Sequence, residues 1–299
     1  MIELLQHLVN GLSVGAIYAL IALGYTMVYG VLQLINFANG DVLMVGAMMG
    51  YYVASWTGEG RHPTYGGAAL ILISSMAMCG VLGFLIERFA YRPLRDRPRI
   101  NSLITAIGVS FLLEYGGQLV FKPGPYSFEI APYQLPMNVG GLYVSWSDAI
   151  TLGLAFALML VLQWIVYRTK IGMAMRAISH DPRIAALMGV NVDFVISFTF
   201  VLGSVLAAAA GVLYGMKYHR VDPLMGLLPG LKAFVAAVLG GIGNVPGAMA
   251  GGILLGLVEE LVAGYTSSSF RDAIAFGILI LVLLVRPSGL FGKTVVEKV

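Results

Sequence analysis

"GLSVGAIYALIALGYTMVYGVLQLINFANGDVLMVGA", residues 11–47, is apolar for some twenty positions, turns polar at Asn36, Asn39 and Asp41, and becomes apolar again. A hydrocarbon core of ~30 Å takes about 20 mostly apolar residues as one helix. The first part therefore reads as a span ending near Gly30. The polar trio that follows either marks a membrane edge or lines something polar inside the membrane, and the two readings give the chain different architectures.

The rest of the sequence repeats the pattern. Of its 299 residues, 59% are hydrophobic and 11% charged, against roughly 45–50% and about 25% in a soluble domain. Mean hydropathy is +0.86. Candidate spans fall at 8–30, 36–54, 67–88, 100–121, 147–167, 194–216, 228–243, 247–264 and 270–286. The expectation is an all-α polytopic membrane bundle of about eight to nine spans, with 228–243 short enough to be half a helix or a re-entrant segment. No stretch between spans could hold a soluble core, so 1–299 reads as a single transmembrane domain. The longest interruption, 122–146, holds Pro123, Pro125, Pro132 and Pro136 and reads as an ordered surface loop. The N-terminal stretch lacks a basic leader and a small-residue cleavage site, which points to a retained span.

Basic residues cluster in three places: Arg88, Arg92, Arg95, Arg97 and Arg99; Arg168, Lys170, Arg176 and Arg183; and Arg286, Lys293 and Lys298. Basic loops stay on the cytoplasmic side. The span count puts all three there, with the C-terminus cytoplasmic and the N-terminus outside; Lys217 and Arg220 then fall on the wrong side. Gly203, Ala207, Gly211 and Gly215 recur every four residues, as do Gly11 with Gly15, Gly46 with Gly50 and Gly247 with Gly251. Small residues at this spacing let helices pack closely in lipid. Segments 30–50 and 228–252 echo one another, each pairing an apolar run with a polar or Gly-Pro break, and broken helices of this kind occur in transporter repeats.

Little in the chain suggests catalysis. "GLFGKT" at 289–294 imitates the end of a phosphate loop, but Pro287 stands where the first glycine belongs. "GGIGNVPG" at 240–247 lies between apolar spans without the strands of a dinucleotide fold. His7, His62, His180 and His219 are scattered, and Cys79 is the single cysteine. No metal, cofactor or nucleic-acid partner is expected, and the chain does not read as an enzyme. Ionisable groups inside spans are costly and commonly functional. Asp41 and Glu114 are the candidates, with Gln118 one turn beyond Glu114 on the same face; Glu259 and Glu260 read as interfacial. "SHDPRIAALMGVNV" is a fully punctuated short helix: Asp181 as N-cap, Pro182 at the first helical position and Gly189 at the C′ position. Its apolar Ile184, Ala185, Leu187 and Met188 suit either a knob inserting into a partner or a helix lying on lipid.

Four of these stretches, in order, resemble the branched-chain amino-acid import permease family of ABC transporters: residues 11–47, "RAISHDPRIAALMGVNV" (176–192), "VLGGIGNVPGAMAGG" (238–252) and "RPSGLFG" (286–292). At Asn39 the family's pattern often has histidine, so a proton-carrying role there is not implied. The resemblance implies an inner-membrane permease for leucine, isoleucine and valine. It would work with a second related permease, two cytoplasmic ATPase subunits and a periplasmic amino-acid-binding protein. It assigns 168–193 to coupling, with Asp181, Pro182, Arg183, Ile184, Ala185, Ala186, Leu187 and Gly189 as the ATPase contact. Asn36, Asn39, Asp41, Glu114 and Gln118 become candidates for the translocation path. An ion-driven secondary transporter using Asp41 and Glu114 is the alternative.

Overall fold

A computed structural model describes residues 2–60, 62–95, 97–130, 132, 136–139, 141–286 and 288–292. Pro287, Lys293 and Lys298 lie outside these residues, as does the end of the phosphate-loop imitation from Lys293 onward. Helices come in the order α1 (Ile2–Leu32), α2 (Asn39–Thr57), α3 (Tyr65–Ile86), α4 (Arg99–Phe121), α5 (Trp146–Arg168), α6 (Lys170–His180), α7 (Pro182–Leu187), α8 (Val192–Tyr218), α9 (Leu227–Gly240), α10 (Val245–Tyr265) and α11 (Arg271–Val285). A π-turn at Glu87–Tyr91 and a 3₁₀ turn at Arg92–Leu94 extend α3. Among the described residues seven helical stretches are long and apolar enough to cross a membrane. The other two expected spans are α2, whose first turn is polar, and α9, whose 14 residues reach only about 21 Å.

The helix starts follow from capping chemistry. An exposed backbone N–H at a helix start needs an acceptor. Thr64, Thr169, Asn191 and Asn244 each accept from the backbone N–H three residues on, at 3.0–3.1 Å, and begin α3, α6, α8 and α10. The starts of α4, α5 and α11 lack such a cap, and so do those of α2 and α9. The starts of α2 and α9 abut each other inside the bundle: a Cβ on Gly40 would lie 2.8 Å from the Gly226 carbonyl oxygen and 3.1 Å from Gly230 Cα. The partner of α2 is α9, entered through 219–226, and not the helix that follows the Gly-Pro break.

Small residues set the centre of the bundle. A Cβ on Gly15 would stand 2.8 Å from Ile253 Cα, and one on Gly256 would collide with the Gly15 backbone, so α1 and α10 run antiparallel at backbone contact. On α8 the residues at four-residue spacing do not face one neighbour. Gly203 meets Gly24 of α1, Gly211 meets the Leu43 carbonyl of α2, and Gly215 meets Phe128 and Val221; Ala207 is fully buried among them. Four residues overshoot one turn by about 40°, so the stripe winds from partner to partner. Gly46 packs on Ala208, where an added Cβ would lie 2.6 Å from the Ala208 Cα, Gly50 on Ser75, and Gly247 and Gly251 on Gly240. Helices α4 and α11 lie outermost, with Leu112, Leu119, Leu284 and Val285 exposed.

The loop 122–146 is more structured than expected. Tyr126–Ser127 (β1) pairs with Arg220–Val221 (β4), and Met137–Val139 (β2) with Leu142–Val144 (β3), both antiparallel. At the far end of α8 from α7, Lys217 donates to Asp148 and Ser13. Lys217, one of the two residues that dissented from the charge pattern, is thus neutralised by a neighbouring span. The described part of the tail returns to the α7 end, where the Leu290 and Phe291 N–H groups donate to the carbonyls of Leu239 and Gly240.

Candidate functional site

Leu32 ends α1, and Gln33 leaves it with φ at +55°. The chain then re-enters the bundle, so α2 starts at Asn39 and not at 36. Asn36, Asn39 and Asp41 are all buried within the bundle. They do not form one site. The Asn36 side-chain oxygen accepts from the Tyr91 hydroxyl at 2.9 Å. Asn39 donates to the Ile21 carbonyl at 3.2 Å, its amide filling the space that the absent side chain of Gly24 leaves. Asp41 faces α4 and accepts from Ser110. A break followed by a helical turn points successive side chains about 100° apart, which is why three close polar residues reach three different helices.

Asp41 and Ser110 line a cleft of about 160 Å³ at the meeting of α2 and α9, walled by Tyr25, Phe37, Ile107 and Leu231. Its backbone floor is Gly40, Gly226 and Gly230. The positive ends of two helix dipoles converge there, and one carboxylate sits among apolar walls. Glu114, one turn beyond Ser110, is half-buried and close enough for its charge to act on Asp41. Gln118 lines a separate cavity of about 200 Å³ with Arg220 and Asp222. The structure thus aligns Ser110, Glu114 and Gln118 along the α4 face nearest α2, where Gly117 lets Met44 approach, while Asn36 and Asn39 stand apart.

A charged group inside the bundle escaped the sequence reading. Lys232, in the middle of α9, is buried and lies 2.9 Å from Glu259 Oε1 and 2.6 Å from Asp272 Oδ1. Tyr18 donates to the same glutamate at 3.2 Å, and Arg271 approaches it at 3.4 Å. Glu259 is 2% exposed and paired within the bundle; Glu260 faces His7 and Arg271 instead. The signal was available in "LLPGLKAFVAAVLG": a lone lysine in an apolar helix requires a partner.

At the α7 end, Asp181 accepts from the N–H groups of Arg183 (2.7 Å) and Ile184 (3.1 Å). Pro182 fills the first turn, and Gly189 leaves the helix at φ +84°, a left-handed conformation that suits glycine. Ala185 is buried against the body, whereas Ile184, Leu187 and Met188 are 59%, 87% and 80% exposed. Arg183 and Ala186 also face outward. Three large apolar side chains on a rigid, capped turn make a plug-shaped projection. Among the described residues no group of three His, Cys, Asp or Glu is placed to hold a metal ion.

These features define a polytopic helical membrane protein with two broken helices meeting around a carboxylate cleft and an apolar projection at one end. The family model described as "Branched-chain amino acid transport system / permease component" matches residues 7–283, and the chain belongs to that family. It is 42% identical to the high-affinity branched-chain amino acid transport system permease protein BraD of Pseudomonas aeruginosa, covering 99% of this chain and 98% of that one. The corresponding LivH protein of Escherichia coli strain K12 is 41% identical, with 99% and 97% covered. The probable branched-chain amino acid transport permease protein LivH of Methanocaldococcus jannaschii is 28% identical, with 91% and 88% covered.

Proposed function

We propose that this chain is the permease subunit of an ATP-driven importer that carries leucine, isoleucine and valine from periplasm to cytoplasm. The observation that carries the reading is similarity to BraD and LivH over almost the whole chain. The chain acts as one transmembrane domain in the inner membrane, with the N-terminus periplasmic and the α7 end cytoplasmic. Its partners are a second related permease, two ATPase subunits and a periplasmic amino-acid-binding protein; it has no catalytic role of its own.

Segment 168–193 is the coupling element. Closure of the ATPase pair moves the projecting side chains of Ile184, Leu187 and Met188, and the capped turn passes that motion to α6 and α8. The bundle then alternates between outward and inward openings, each ligand acting only through its different affinity for the two states. The cleft at Asp41, with Glu114 and Gln118 beyond it, belongs to the translocation path. A carboxylate there meets the ammonium group of the cargo, while Phe37, Ile107 and Leu231 suit an aliphatic side chain.

Proteoliposomes test the reading. Leucine uptake is expected only when both permeases, the ATPase subunits, loaded binding protein and ATP are present. Nearness of Asp41 to Glu114 favours one rival, an ion-driven transporter. That rival predicts uptake by this chain alone, abolished by uncouplers and indifferent to ATP, and such a result would replace the importer reading.

A further inference from the structure

The α7 end is joined to the start of α2 by a series of polar contacts linked through the backbone of the α8 start and of the π-turn. Beyond Gly189, the Val190 N–H donates to the Ala185 carbonyl at 3.1 Å, locking α7 against the start of α8. Asp193, in the first turn of α8, accepts from both Arg92 and Arg95. Arg95 also donates to Glu87, which is wholly buried and takes the Ser197 hydroxyl from the next turn of α8. Glu87 and Arg92 close the π-turn, the Arg92 N–H donating to the Glu87 carbonyl. Within that turn Tyr91 is 2% exposed, packs against Phe200 with ring centroids 4.9 Å apart, and donates its hydroxyl to Asn36. The Asn36 carbonyl accepts the N–H of Asn39, first residue of α2 and two before Asp41.

The π-turn explains why Tyr91 can make this bond. An extra residue in a helix rotates everything beyond it by about 100°, and here that rotation brings the phenol onto the break between α1 and α2. The buried hydroxyl takes its partner from the segment that leads into α2 and the cleft. The members before Tyr91 belong to α7, to the start of α8, or to the turns that extend α3. Tyr91 to Asn36 is the step by which the series reaches the α2 break.

We propose that Tyr91 is a positioning residue that carries motion of the α7 end to the Asp41 cleft through its hydrogen bond to Asn36. This rests on the reading of α7 as the ATPase contact. The test uses the complete complex in proteoliposomes, measuring leucine uptake and ATP hydrolysis together. Tyr91→Phe and Asn36→Leu are expected to retain hydrolysis stimulated by loaded binding protein, while leucine moved per ATP falls by roughly fivefold or more, the lower range of coupling between sites. The double variant should be no worse than either single one, because both remove the same bond. Two apolar partners of matched shape can restore packing, so the double variant should also recover the wild-type melting temperature while its coupling stays low. Wild-type leucine per ATP in Tyr91→Phe overturns the proposal, as does recovery of coupling together with stability, which would make the bond merely structural. ATP-independent uptake by the wild-type complex is a different result: it overturns the importer reading and this proposal with it.

Discussion

Lys232→Met removes the cation from the interior network and keeps the length of the side chain. Lys232 Nζ lies 2.9 Å from Glu259 Oε1, with side-chain exposures of 7% and 2%. At an effective dielectric of ~20 that attraction is about 6 kcal/mol. Removing the lysine also removes the cost of burying an ammonium, several kcal/mol. Arg271 at 3.4 Å and Tyr18 at 3.2 Å still face the glutamate, so its charge is not left alone. Asp272 is half-exposed and loses little. The expected net loss is about 3 kcal/mol, the lower edge of the range for breaking a buried pair. For a chain of this size that lowers the melting temperature by on the order of 5 °C. Adding Glu259→Leu should recover most of the loss, since an apolar replacement of both partners is often neutral. Thermal melts of purified protein in one detergent, single and double variants side by side, give the answer. The reasoning is refuted if Lys232→Met melts within about 1 °C of wild type, or if the double variant melts below both single ones.

Gly256→Ala should lower the yield of folded protein and its melting temperature, because the new Cβ meets the Gly15 backbone, whereas Gly108→Ala, with nothing within 4 Å, should be neutral or stabilising by about 0.5–1 kcal/mol; paired melts check both. Asp41→Asn and Ser110→Ala should leave ATP hydrolysis near wild type and slow leucine uptake several-fold in proteoliposomes, the first more than the second, because only the first removes the charge in the cleft. Ala186→Glu, on the exposed face of α7, and Gly189→Pro, which cannot adopt φ +84°, should uncouple hydrolysis from uptake while membrane insertion is unchanged; wild-type uptake in both would remove α7 from the coupling mechanism.

Much was determined by the sequence alone, wherever the governing physics is local. Spans are long apolar runs, and their existence follows from the thickness of a bilayer. The projection at α7 could be written down residue by residue, because Asp181, Pro182 and Gly189 act on backbone groups within a few positions of themselves. Packing glycines could be listed from their spacing, but not their partners, since the stripe on α8 winds across three neighbours. Only the tertiary structure decided that α2 and α9 meet start to start, because hydropathy measures how apolar a segment is and not which segment it packs against. It also decided where the charges stand: Lys232 and Glu259 are far apart in sequence, and pairing makes the interior tolerable for both. The polar trio shows the same division. Its burial could be posed as a question from residues 30–50, but the directions of Asn36, Asn39 and Asp41 depend on three different helices packed around the break.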